Sequence, residues 1–194
     1  MSQDSLAEIA SVTEASNAVA LRERHQLVMP TWVVQMHDDP ISLVSGHGAN
    51  VVDSDGNEYL DFFAGIATTI SGHCLASIQE SLRTQSSQIL HSSTLYLIEP
   101  MIELAELLLS LTPSNHENVF FVNSGSEAVE TALMLATNYS KSNQVVSMTN
   151  AYHGRSFAAV AVTGLPDYSV TPYSPLDVKV ATYGDSHHLE CTIE

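Results

Sequence analysis

A chain of 194 residues with 44% hydrophobic residues is long enough for one core or slightly more than one, and its formal charge is -16 at pH 7. That charge speaks against nucleic acid as a partner, because no basic stripe exists to meet phosphates, and solubility is the simplest use of the surface acids. No apolar run reaches membrane length, and Met1-Ser2-Gln3-Asp4 lacks the positive start of a secretory signal and the arginine-rich start of a mitochondrial transit peptide, so a cytoplasmic protein with no membrane partner is expected.

In chain order, residues 5–28 have helical spacing through Leu6, Ile9, Ala10, Val19, Leu21 and Leu27, with Pro30 beyond, and predict an arm that packs on a partner. Residues 41–63 read as short antiparallel strands at Leu43-Val44, Val51-Val52 and Tyr59-Leu60, separated by Gly46-His47-Gly48 and Asp53-Ser54-Asp55-Gly56-Asn57. Helices are expected over 77–90 and 98–111, the second with Leu104, Leu107, Leu108 and Leu111 on one face before Pro113. Residues 119–122 form a short apolar run, expected as a strand, that breaks at Asn123-Ser124-Gly125-Ser126 into a helical pattern. Ala128, Val129, Ala132, Leu133, Leu135, Ala136 and Tyr139 fall largely on one face of that helix, with Glu127 and Glu130 in the first turn where the dipole favours acids. Strands are expected again at 145–148 and 158–162, and Lys179 lies in an alternating, strand-like run at 177–180.

The turn before the long helix carries the chemistry. Backbone N–H groups at a helix start have no intrahelical partner, so Ser124, Gly125 and Ser126 can present several of them, with hydroxyls, to a phosphate. The same residues also make an ordinary N-cap, and on their own they favour that plainer role. G-x-G-x-x-G and G-x-x-x-x-G-K-[ST] are both missing, which argues against a dinucleotide or ATP site. A strand at 145–148 would make the next loop emerge on the carboxyl edge of a parallel sheet, beside the small-residue turn. That loop holds Tyr152, able to lie over a flat heteroaromatic ring, and Arg155, a planar fork for a carboxylate or phosphate. Arginine is scarce here, the others being Arg22, Arg24 and Arg83. Cys74 and Cys191 are read as free thiols, and the scattered histidines, His187-His188 included, lack metal-ligand spacing, so no metal is expected.

Three blocks together carry a resemblance: Tyr59-Leu60-Asp61-Phe62-Phe63-Ala64-Gly65-Ile66-Ala67 with Gly72-His73-Cys74, then Asn123-Ser124-Gly125-Ser126-Glu127-Ala128, then Ala151-Tyr152-His153-Gly154-Arg155. From about residue 30 to 180 the chain resembles the N-terminal part of the class III pyridoxal-phosphate-dependent aminotransferases, of the alanine-glyoxylate, 4-aminobutyrate and acetylornithine type. The resemblance implies an α/β fold, a fold-type-I PLP transferase in incomplete form. An N-terminal helix and small antiparallel ribbon would lead into the first part of a mainly parallel sheet flanked by helices. Residues 1–74 would be the arm and small-domain segment, and 75–194 the first part of the large cofactor-binding domain. It further implies pyridoxal 5'-phosphate as cofactor, held by Ser124, Gly125, Ser126, Tyr152 and His153, with Arg155 gripping the substrate carboxylate and Ile66 forming an apolar wall. An amino donor, a 2-oxo acid acceptor and a homodimer follow as partners, with His91-Ser92-Ser93-Thr94 approaching the neighbouring subunit's site.

Two features depart from that pattern. Leu75-Ala76 stands where the family has another histidine and a proline. The Schiff-base lysine is expected downstream of Glu194, so no catalytic residue is expected within the chain, and Lys141 and Lys179 suit other roles. Transamination would then need the downstream region. A non-catalytic dimerisation module and a protein that binds another phosphorylated ligand remain open as alternatives, and within transamination the 59–74 block looks slightly closest to the alanine-glyoxylate type.

Overall fold

The computed structural model describes residues 18–31, 33, 37–168 and 174–193. The chain divides into two compact units, Met1–Leu97 and Ile98–Glu194. Residues 5–17 of the expected arm lie outside the described residues; its second half is helix α1, Ala18–Val28, with Arg22 ion-paired to Asp39.

The first unit is built on the antiparallel ribbon that the turn residues call for. Strand β1 (Leu43–His47) pairs with β2 (Asn50–Asp53), and β2 pairs with β3 (Glu58–Leu60). The register runs Gly46 to Val51 and Val51 to Tyr59, with a shift between Leu43 and Ser45. Between β2 and β3 the chain turns on the buried carboxylate of Asp53, which accepts the N–H groups of Asp55 and Asn57, both at 2.9 Å, and the Tyr59 hydroxyl at 2.7 Å. An aspartate that satisfies its own turn's donors is the reason this polar stretch folds without a core of its own.

After β3, residues 64–67 make a left-handed turn, with φ of 48° at Ala64, 58° at Gly65, 59° at Ile66 and 63° at Ala67. That conformation costs roughly 1–2 kcal/mol for each residue with a Cβ. Asp61 holds it in place, accepting Phe63 N–H at 3.0 Å and Ala64 N–H at 2.8 Å. The other carboxylate oxygen of Asp61 meets His73 Nε2 at 2.8 Å, and His73 bridges back to Gly48 through reciprocal backbone bonds of 2.8 and 3.0 Å. Helix α2 (Ala76–Gln88) follows.

The second unit opens with helix α3 (Glu99–Leu111), with Pro100 in its first turn, where a missing N–H is harmless. Helix α4 (Gly125–Ser140) comes next and ends at Lys141 in the left-handed region. Strand β4 (Gln144–Met148) pairs in parallel with β5 (Asp177–Ala181), through a crossover that contains helix α5 (Phe157–Ala161) and a 3-10 turn at Pro166–Tyr168. Helix α6 (Ser186–Ile193) closes the unit. Its best-packed part is the crossover and the end of β5: Ala158, Ala159, Val160, Val162 and Ala181 are buried, and the Ser147 hydroxyl within β4 donates to the Val162 carbonyl.

Two expected strands are corrected. Residues 158–162 form most of helix α5 and the residue after it, because a carboxylate from α4 caps the helix start and the alanines favour helix once the end is satisfied. Residues 119–122 are not a strand, since no ladder partner stands beside them among the described residues. The packed stripe of α4 also differs from the expected face. Ser126, Val129, Glu130, Leu133 and Thr137 are half-buried, whereas Leu135 and Tyr139 are exposed. Among the described residues, no helix is long and apolar enough to cross a membrane.

Candidate active site

The site in the second unit is made where the start of α4 meets the loop after β4. Ser124 is extended, and its hydroxyl accepts Glu127 N–H at 3.1 Å, a conventional N-cap. Glu127 reaches back to Asn123 N–H at 2.6 Å, so that donor is occupied. The space over Gly125 is open, with no atom within 4 Å of where a Cβ would stand. Ser126, the first residue of the turn to face inward, accepts the backbone N–H of Arg155 at 3.3 Å.

The loop 149–156 is fastened at both ends. On one side Asn150 N–H bonds to the Gly164 carbonyl at 3.1 Å, and Gly164 N–H bonds to the Ala151 carbonyl at 2.8 Å. Thr163, buried, accepts His153 N–H at 3.1 Å and donates to the Ala159 carbonyl at 3.0 Å. On the other side Gly154, with φ of 129°, lies against Ser126; a Cβ there would be 2.4 Å from Ser126 Oγ. The glycine is required twice over, by its backbone angle and by this contact.

Beyond Gly154, Glu130 takes over the fastening. Its carboxylate accepts the Ser156 hydroxyl at 2.7 Å, Ala158 N–H at 3.2 Å and Ala159 N–H at 3.1 Å. Burial pushes the Glu130 carboxyl up, but the Ser156 hydroxyl and the two amides outweigh it and hold the group below its ordinary value. In the sequence Glu130 looks like a first-turn acid placed for the helix dipole. Its actual signal was its position four residues after Ser126 on the stripe that packs.

The expected site residues therefore divide. Ser126 and Arg155 meet directly, Ser124 and Gly125 flank them, and His153 is fixed through its backbone. Tyr152 makes an edge-to-face contact with Tyr168 at 5.4 Å and 76°, which leaves about half of its surface exposed, at 52%. The Arg155 guanidinium has no ion pair or hydrogen bond among the described residues. Ile66 belongs to the first unit, in the left-handed turn, and is 73% exposed.

Residues 31–192 match the family model described as aminotransferase class-III. The chain belongs to the class III aminotransferases. Curated relatives include the acetylornithine aminotransferase of Methanopyrus kandleri, 38% identical over 157 residues that make up 80% of this chain and 40% of the relative. Another is the acetylornithine aminotransferase of Mycobacterium bovis, 38% identical over 187 residues, 94% of this chain and 46% of the relative. The chain thus spans less than half the length of these class III relatives. Among solved structures, the ornithine aminotransferase of Toxoplasma gondii ME49 superposes with a TM-score of 0.80 at 23% identity, over 93% of this chain and 44% of that one. An (S)-enantioselective omega-transaminase from Thermomicrobium roseum gives 0.77 at 26% identity, over 92% and 45%. These neighbours bear out the fold-type-I α/β assignment.

The donor set fits the phosphate of the family's cofactor. A 16-residue helix begins at Gly125, the space where a Gly125 Cβ would stand is open, and the Ser124 and Ser126 hydroxyls, each already accepting a backbone N–H, keep their own protons to donate. Lys141 Nζ donates to Asn138 at 3.1 Å, and Lys179 Nζ donates to the Thr192 carbonyl at 2.9 Å, covering the last turn of α6.

Proposed function

We propose that this protein takes part in transamination, moving an amino group between an amino acid or amine donor and a 2-oxo acid with pyridoxal 5'-phosphate as cofactor. The observation that carries the reading is the junction of Ser126 with Arg155, which brings a phosphate-type donor turn and a free guanidinium onto one pair of loops. When bound, pyridoxal phosphate supplies an electron sink for the carbon that bears the amino group. Gly125 and Ser126 would hold its phosphate through backbone amides and a hydroxyl, with Ser124 alongside. Tyr152 would lie against its ring, and His153 would support the tyrosine. Arg155 would orient the substrate carboxylate through a bidentate contact, which converts binding into a fixed approach angle. Ile66 is assigned the apolar side of the substrate.

The names of the curated relatives favour an acetylornithine-type donor over the alanine-glyoxylate type that the 59–74 block suggests. The same family reading brings a homodimer and a cytoplasmic setting. With a net charge of -16, the protein must hold an anionic cofactor by short-range donors, because its long-range field repels anions.

The test is a pair of titrations on the full-length protein. Pyridoxal phosphate should bind with a visible absorbance band, and S126A should weaken that binding. R155A should leave cofactor binding intact while raising KM for an amino acid donor about 10- to 100-fold, the range for one lost charge-assisted contact. Cofactor affinity unchanged in S126A together with KM unchanged in R155A would remove the reading.

A further inference from the structure

The geometry points to Glu130 as the positioning residue for Arg155: by clamping the start of α5 onto α4, it fixes where the substrate-side arginine stands relative to the phosphate turn. This inference rests on the carboxylate-binding role proposed for Arg155.

Arg155 lies between two anchors. Its own N–H is held by Ser126, and the next residue, Ser156, donates its hydroxyl to Glu130 at 2.7 Å. Ser126 and Glu130 are one helical turn apart on the same stripe of α4, so a single rigid helix holds both ends of the Gly154–Ser156 segment. Glu130 also collects the Ala158 and Ala159 amides, which as first-turn donors of a five-residue helix lack an intrahelical partner. One carboxylate thus does the work of an N-cap for α5 from a different helix. Losing it would free α5 to fray and let the Arg155 backbone pivot about its remaining bond to Ser126. A displacement of about 1 Å at a group that orients substrate is enough to change turnover by orders of magnitude.

The carboxylate spends its acceptor capacity on neutral donors and forms no ion pair with Arg155. Glu130 therefore acts on the arginine through the backbone, and the guanidinium stays available to a ligand. This separates a clamp from a counter-ion, since glutamine, which keeps one acceptor oxygen, should preserve part of the effect.

The experiment uses E130A and E130Q in the full-length protein loaded with pyridoxal phosphate, each made alone and with R155A. The expected result is that E130A raises KM for an amino acid donor about tenfold, E130Q does so less, and neither adds to the rise already caused by R155A. A rise of equal size in both backgrounds overturns the proposal, since Glu130 would then act elsewhere. No rise in E130A beside a clear rise in R155A also overturns it, leaving the arginine's role standing. An independent readout is amide exchange at Ala158 and Ala159 in the cofactor-free protein. It should speed up in E130A below its melting temperature, and unchanged protection overturns the clamp whatever Arg155 does. Should R155A leave KM flat, the arginine reading fails, and with it the proposed effect on substrate.

Discussion

Gly154 and Ser126 are packed so closely that a single added methyl carbon on the glycine would stand 2.4 Å from the serine hydroxyl oxygen. Because φ at Gly154 is also 129°, G154A must both strain the backbone and push Ser126 away. The expected cost is about 1–3 kcal/mol from the backbone angle, with overpacking in addition. Thermal melting should report the lost stability, and pyridoxal phosphate affinity should fall further than in a surface alanine control. A G154A protein with wild-type melting and cofactor affinity would mean that the two loops do not touch.

Asp53 predicts an acid-sensitive ribbon. Hydrogen bonds from the Asn57 side chain and the Tyr59 hydroxyl hold its carboxyl at about 2, down from 3.8, against the opposing effect of burial. A folded-state value below the unfolded one means the stabilisation is complete above the unfolded value and is lost as pH falls through the folded one. The unfolding midpoint should therefore drop between about pH 5 and 2, and D53N should flatten that part of the profile while lowering stability at neutral pH. Y59F should move the acid transition upward, because it removes one donor. An acid limb in D53N as steep as in the wild type would contradict this account.

Asp61 gives a local test of the left-handed turn. Its carboxyl lies below its ordinary value, chiefly through the hydrogen bond with His73 and then through Ala64 N–H. D61A removes all three contacts, so the 62–72 segment should loosen without loss of the ribbon. Phe62 and Phe63 are already 92% and 60% exposed, which makes chymotrypsin the convenient probe. Cleavage beside them should be several-fold faster in D61A, as followed by mass spectrometry of the first fragments; equal rates would show that the turn holds itself.

Lys179 is assigned to the end of α6, and K179M should cost about 0.3–1 kcal/mol in urea unfolding, the range for a cation at a helix C-terminus. The proposed amino transfer should survive. Abolished activity with intact folding would reassign Lys179 to the chemistry.

The ribbon and helices α2, α3 and α4 were legible in the sequence because their signals are local: Asp53 to Asn57 marks one turn, Pro113 ends α3, and Ser124 caps α4. Strand β4 and the meeting of its following loop with the Ser126 turn could also be anticipated from the α/β pattern. What the pattern misses depends on distant partners. Residues 158–162 look β-rich until Glu130, 28 residues before Ala158, supplies the cap that makes them helical. The 119–122 run looks like a strand, but pairing is a property of two segments, and an apolar run describes one. The Asp61 to His73 bond joins the two parts of the first family block for a reason that spacing alone does not reveal.

The turn at 64–67 has one more implication. Along these four residues the backbone winds with the hand opposite to that of helices α1 to α6, so an ordinary Cβ points into the crowded side at three of them. Mirror-image chemistry would suit it better: D-alanine installed at position 67 by peptide ligation should relax the turn, whereas L-valine at the same position should strain it further.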